Sequence, residues 1–355
     1  MAAYSYCIIA LFLISPCHAG NMTNTFDIRD EYNTVKRYVA IILFSLLLLY
    51  GIVGNILLII VFCSKNSFYS HAFILISSQL IICAFLNFTP QVIIVLFEMI
   101  KTEITEAYET TWIHSIFATM NTFSFFAMLH FTLLLAINRF VIINLPKFSA
   151  FFESSKFYFL IVCVWISAFV ISLIEFHYCF KTFNASNLQW TFNCSKITVE
   201  SGAIFMKVRY FFLLSFPIAM FLVYIPIFFN IRYKRENAIE LSRTSRNGTI
   251  NMIKYERLML IQAAVVCGAI EIEILCYKLL LKLALKFFGK EAEIPINIFI
   301  NCYVIFNGSI LPTTNLIFVK QFRHNVKRAI ADLLYKFKVT KIMPITIFPA
   351  PSTKF

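Results

Sequence analysis

Charge is scarce in this chain. Only 14% of its 355 residues are Asp, Glu, Lys or Arg, while 60% are hydrophobic; an ordinary soluble domain carries about 25% charge. With a mean hydropathy of +0.78, the deficit excludes a water-soluble globular domain and points to a polytopic membrane protein. Other absences narrow the class further. No Cys-x-x-C pair occurs among the ten cysteines, which removes the usual zinc and redox signatures, so no metal and no cofactor are expected. No H-E-x-x-H, paired-aspartate motif or nucleophile–base pair appears in the apolar runs, which argues against an enzyme. No internal repeat is visible, which weakens a transporter built from duplicated halves. The net charge of +13 raises nucleic acid as a partner. The basic residues, however, are dispersed between apolar runs, and a membrane surface accounts for them better.

What is there is length of apolar sequence. Runs recur at roughly 39–63, 72–97, 112–143, 157–176, 210–231, 258–277 and 296–319, which makes seven. Each is about 20 to 32 residues long, and charged or turn-rich segments separate them, so membrane helices rather than barrel strands are expected. The fold class is therefore an all-α seven-transmembrane bundle. A further amphipathic helix is expected at 320–337, in a cytoplasmic tail running to 355. Residues 1–19 contain a short apolar run ending in Pro16-Cys17-His18-Ala19. They read either as a signal peptide without a basic start or as an uncleaved tail ahead of an extracellular segment, 20–38.

Arg139 orients the bundle. An arginine costs little at the mouth of a membrane helix and much at the bilayer centre. About 25 residues back from Arg139 lies Ser115, far enough to cross a bilayer with some tilt. With the amino terminus outside, inner segments hold about 19 of the 31 lysines and arginines, as the positive-inside rule favours. The glycosylation sites Asn21, Asn184 and Asn193 then fall outside, where acceptors must lie. Asn247 would be cytoplasmic, and Asn87 and Asn307 intramembrane, so those three should stay unmodified.

Seven spans with an arginine closing the third resemble the rhodopsin-like G-protein-coupled receptors. Gly54-Asn55 matches the family's Gly-Asn pair of span one, and Trp165 and Pro217 match in spans four and five. Phe322 falls at the expected distance after span seven. Departures are as telling. Asn138-Arg139-Phe140 lacks the usual acidic neighbour, so the clasp on the arginine should be weaker or built differently. Leu311-Pro312-Thr313-Thr314-Asn315 replaces Asn-Pro-x-x-Tyr, and Ser77-Ser78-Gln79 replaces the aspartate of span two. No cysteine lies near the top of span three. The second outer loop instead holds Cys179-Phe180, Trp190-Thr-Phe and Cys194. With Ile137-Asn-Arg-Phe and the stretch from Tyr255 to Gln262, this resembles the nematode serpentine chemoreceptors, class x in particular. Cys179 and Cys194 lie in an oxidising compartment and are either bonded or two free thiols. A bond would restrain the loop by about 3 kcal/mol in the chain-entropy model, yet leave it less firmly anchored to span three.

Intramembrane ionisable groups are site candidates by default. Glu271 and Glu273 interrupt span six. At 100° per residue they point nearly opposite ways, so they are not expected to line one pocket together. Glu271 stands about 20 Å along the helix from Leu258, in the outer half of the bilayer. The plainer reading is a packing hydrogen bond, or an acid snorkelling to the interface. His114 and Asn121 share a face of span three, with capping or packing as the alternative. Arg209 and Lys207 open span five, most simply as interfacial anchors. Asn297 and Asn301 could bond to span six or face the pocket.

The resemblance implies a plasma-membrane receptor of a sensory neuron, in its ciliary or dendritic membrane. Its partners would be a small-molecule ligand and a heterotrimeric G protein, the latter coupled through Asn138, Arg139 and Phe140. Two rivals stand beside it: a seven-span ligand-gated channel with the amino terminus inside, and a proton-coupled transporter using Glu271 and Glu273.

Overall fold

The structure, a computed structural model, describes residues 27–342 apart from 29, 31–32, 65–68, 101–111, 195–197 and 242–246. The segment 1–19 and Asn21 lie outside the described residues. The long helices are α1 (Thr34–Phe62), α2 (His71–Pro90), α3 (Trp112–Asn144) and α4 (Lys156–Tyr178). A hairpin follows, β1 (Phe180–Asn184) and β2 (Gln189–Asn193), and then α5 (Val199–Leu241), α6 (Asn247–Leu275), α7 (Glu293–Asn307), α8 (Ile310–Phe318) and α9 (Lys320–Ile342). Helices α1 to α5 are each apolar and long enough to cross a bilayer, α2 with its extension to Ile100, and α7 with α8 forms a bent span. Helix α6 packs on α3, α5, α7 and α8 and completes seven.

Helix α3 is the axis. Two-thirds of its apolar window is buried, against 22% in α4 and in α5, so α3 is surrounded while α4 and α5 turn phenylalanine and isoleucine to lipid. The core falls into two parts. One gathers Phe73, Phe126, Phe131, Phe157, Leu135 and Phe322. The other lies toward the hairpin and joins Phe44, Phe88, Phe183, Trp190 and Ile298.

The last span departs from a straight helix over 296–319. It bends by 66° between Asn307 and Ile310. Pro312 has no N–H to give the Gly308 carbonyl four residues earlier. Asn55 takes that carbonyl instead, donating its amide to Gly308 at 3.0 Å and to Gly51 at 2.8 Å. Asn55 of the matched Gly-Asn pair thus ties α1 to the last span for a physical cause: a carbonyl freed inside hydrocarbon must find a donor. Glycine lets the helices close around the same point. A Cβ on Gly51 or on Gly308 would come within 2.6 Å of the Phe88 ring, and one on Gly54 would touch Pro312.

Three other expectations shift. The sixth helical run was expected to end at 277, but it passes through a π turn, Cys276–Leu280, and continues over Leu281–Phe288. Lysine is a good helix former, so Lys282 and Lys286 do not stop it. Gly289 does, at φ 73°, a conformation glycine adopts without penalty. Helix α5 runs unbroken through Pro217 and Pro226, whereas Pro312 sits just past the bend in the last span. The tail helix extends to Ile342, and Phe322 is fully buried beneath it.

Gly308→Val should force the Phe88 ring aside and cost about 1–3 kcal/mol. The expected outcome is a lower melting temperature in detergent and reduced surface expression, partly restored by adding Phe88→Leu. A Gly308→Val protein as stable as the parent would refute this packing.

Candidate functional site

The hairpin closes the outer end of the bundle. Side chains alternate across a strand, and the register pairs Lys181 with Phe192 and Phe183 with Trp190. Those four share one face. Thr182 and Thr191 pair on the other face, their hydroxyls 2.9 Å apart. The strand ends are bridged by the disulfide Cys179–Cys194. Of the two states the sequence left open, the bond is the one present.

Lysine does what a disulfide to span three would do. Lys181 Nζ donates to Asn121 Oδ1 at 2.5 Å and to Thr122 Oγ1 at 3.2 Å, both on α3, and lies 4.8 Å from the Trp190 ring centre. The turn is fixed as well. Asn297 donates to the Asn187 carbonyl at 2.7 Å and Asn301 to the Leu188 carbonyl at 2.8 Å. Leu188 stands at φ 58°, unusual for a branched side chain, and is buried. The expected looseness of this loop is therefore corrected: with no bond to α3 available, charge and amide contacts anchor it.

Beneath the hairpin is a cavity of about 190 Å³. Asn87 of α2 and Asn121, Thr122 and Phe125 of α3 form one wall. Met206, Arg209 and Leu213 of α5 face Glu273, Ile274 and Tyr277 of the α6 run, while Lys181, Gln189, Trp190 and Phe192 make the roof. An ion pair braces the α5 side. Arg209 Nε donates to Glu175 Oε2 at 2.5 Å, and Thr122 donates to Glu175 Oε1 at 2.7 Å. The Arg209 guanidinium lies 4.5 Å from the Phe192 ring centre, within cation–π range. Across the cavity, Glu273 accepts a hydrogen bond from Asn307.

Burial pushes the Lys181 ammonium down to about 7; Arg209 adds to that, and Glu175 and Glu273 oppose it. The site can therefore change charge near neutral pH at a group that also holds the roof.

Of the residues singled out in the sequence, Asn121, Arg209 and Glu273 meet at this cavity. Glu271 does not line it, and the opposed directions read from the helical period account for that. His114 is buried near the outer end of α3 without reaching the cavity wall. Asn301 likewise serves the hairpin turn rather than the cavity. Sequence reasoning missed Glu175 and Lys181. Glu175 is an acid inside the apolar run of α4, the same signal that singled out Glu271 and Glu273, and it was legible. Lys181 sits in a loop, where a lysine carries no signal.

The chain matches the family model described as Serpentine type 7TM GPCR chemoreceptor Srx over residues 44–290, well over half its length. It belongs to the Srx family. Among solved structures it is similar to squid rhodopsin, with a TM-score of 0.58 at 16% identity, over 88% of this chain and 91% of that one; that likeness concerns the fold. No curated protein matches it by sequence.

At the inner end, the residue before this Srx chain's arginine is Asn138 rather than an acid. The buried Arg139 guanidinium lies 4.7 Å from the centre of the Phe73 ring on α2, and Asn138 is fully buried beside it. Asn315, which stands where the wider superfamily has tyrosine, accepts a hydrogen bond from Tyr69. Asn230 of α5 donates to Asn144 Oδ1 at 2.5 Å at the foot of α3. Trp165 ties α4 to α2 through Gln79 at 2.9 Å. Asn184 and Asn193 are exposed at the strand ends.

The roof has two kinds of anchor, and they should substitute for each other. Cys179→Ser with Cys194→Ser should leave the β1–β2 amides substantially protected in hydrogen exchange, as should Lys181→Met alone. The three changes together should lose that protection by more than the sum of the two. Additive effects would show that Lys181 is no anchor.

Proposed function

We propose that this Srx-family protein is a chemosensory receptor of the plasma membrane. It binds an environmental small molecule in the cavity beneath the hairpin and activates a heterotrimeric G protein at the inner face. The observation that carries this reading is a charge-lined cavity framed by α3, α5, α6 and α7, with a buried arginine at the other end of α3. Ligands act by favouring one of two arrangements already accessible to the bundle. Contacts to α3, α5 and α6 together favour the arrangement in which Arg139 leaves Phe73 and Asn138-Arg139-Phe140 meets the G protein, by helix shifts of a kind common in switching proteins. The bend in the last span supports it, because a span already broken at Gly308 can hinge without losing backbone hydrogen bonds. Sensory-neuron cilia or dendrites are the proposed location, and Asn21, Asn184 and Asn193 the proposed glycan sites, with the amino terminus outside.

Arg139→Ala tests the inner end. In cells reporting second messengers, with surface expression matched, it should reduce the ligand-dependent response at least tenfold while leaving ligand binding to intact cells within about twofold. An unchanged response would remove Arg139 from the mechanism.

A further inference from the structure

The polar groups around the cavity are unequally satisfied. Glu175 accepts at both oxygens, from Arg209 and Thr122, and Glu273 accepts at Oε2 from Asn307. More donors than acceptors are left over. Arg209 spends only Nε on Glu175, and its side chain is nine-tenths buried, at 10% exposure. Its two terminal nitrogens therefore border the cavity with no acceptor among the described residues. The indole N–H of Trp190, also at the wall, is buried without an acceptor. Lys181 has three N–H groups and commits two, to Asn121 and Thr122. A buried donor without an acceptor costs about 1–3 kcal/mol, so this cavity is short of acceptors.

From this imbalance we infer that the ligand is a small carboxylate with a compact apolar body. Its two oxygens are taken by the fork of Arg209, with Lys181 and Trp190 as further donors. Planar bidentate pairing is the geometry a guanidinium offers a carboxylate. The body lies against Phe125, Leu213, Ile274 and Tyr277. Size limits the class. Drug-sized ligands occupy about 300–1,000 Å³, and a cavity of about 150 Å³ holds benzene, so about 190 Å³ admits one ring or a short chain. A cationic ligand would meet Arg209 and, below about pH 7, a charged Lys181, against one carboxylate oxygen of Glu273. The inference rests on the receptor reading above, since it concerns the same cavity.

A pH signature follows. The charged groups facing Lys181 are Glu175 from α4, Arg209 from α5 and Glu273 from α6; its α3 neighbours, Asn121 and Thr122, are neutral. A bound carboxylate adds a negative charge and keeps Lys181 protonated to higher pH. Below about pH 7 Lys181 already carries its proton, and affinity is flat until the ligand's own carboxyl protonates. Above about 7, binding must take up a proton, and affinity falls by up to about tenfold per pH unit.

The test uses the full chain in lipid nanodiscs and three acids, benzoate, phenylacetate and hexanoate, each beside its amide, with benzylamine as the cation. Binding is followed by saturation-transfer NMR and by melting temperature. At least one acid should bind, at least tenfold more tightly than its amide, with affinity falling above pH 7. Arg209→Gln with Glu175→Gln conserves the net charge of the buried pair and should abolish the acid–amide preference. Lys181→Met should remove the pH dependence. Should the double variant not fold, the acid–amide comparison and the pH profile of the parent protein decide alone. Amides binding as well as acids, benzylamine binding best, or none of the acids binding would overturn the inference. Acids that bind but evoke no second-messenger response would instead sink the receptor reading and leave the ligand class standing. A neutral ligand that evokes a response would do the reverse.

Discussion

Inside hydrocarbon a polar group has no water to turn to, and each feature that makes this bundle more than seven rods answers that constraint. Its plainest case is the Gly308 carbonyl. Pro312 deprives it of a helical donor, and the Asn55 amide from α1 supplies one. Because α1 must come close for that bond to form, Gly51 and Gly54 face Phe88 and Pro312 with no side chain between. One missing N–H thus fixes the approach of three helices. It also explains why the last span is bent where it is.

The same constraint, applied to charge, makes the cavity. Arg209 and Glu175 are shut away from solvent on neighbouring helices and pair with each other. An isolated buried charge would be far more costly than the pair. Lys181 reaches down from the hairpin into this group and is held by Asn121 and Thr122. Roof and wall are therefore one polar network. Lys181, pushed down to about 7 by burial, is thus both part of the site's charge and an anchor of its roof.

At the inner end Asn138 stands where the superfamily has an acid, and the arginine beside it packs on an aromatic face. A guanidinium over the Phe73 face is worth less than a buried ion pair, about 0.5–2 kcal/mol. The Tyr69–Asn315 bond ties the turn before α2 to α8.

The chain by itself determined the seven spans, the inner end marked by Arg139 and the outer loop with its two cysteines. Hydropathy and the cost of a buried arginine act over stretches contiguous in sequence, so no tertiary contact is needed to read them. The departure from the superfamily at Asn138 was legible in the same way, since it concerns a single position. Only the tertiary structure decided which polar residues meet. Glu273 and not Glu271 reaches the cavity, Asn301 serves the hairpin turn, and Glu175 finds Arg209 across 34 residues. Lys181 illustrates why. A lysine in a loop is unremarkable until a strand register turns it inward and two α3 side chains receive it, and neither the register nor that meeting is written in its neighbours along the chain.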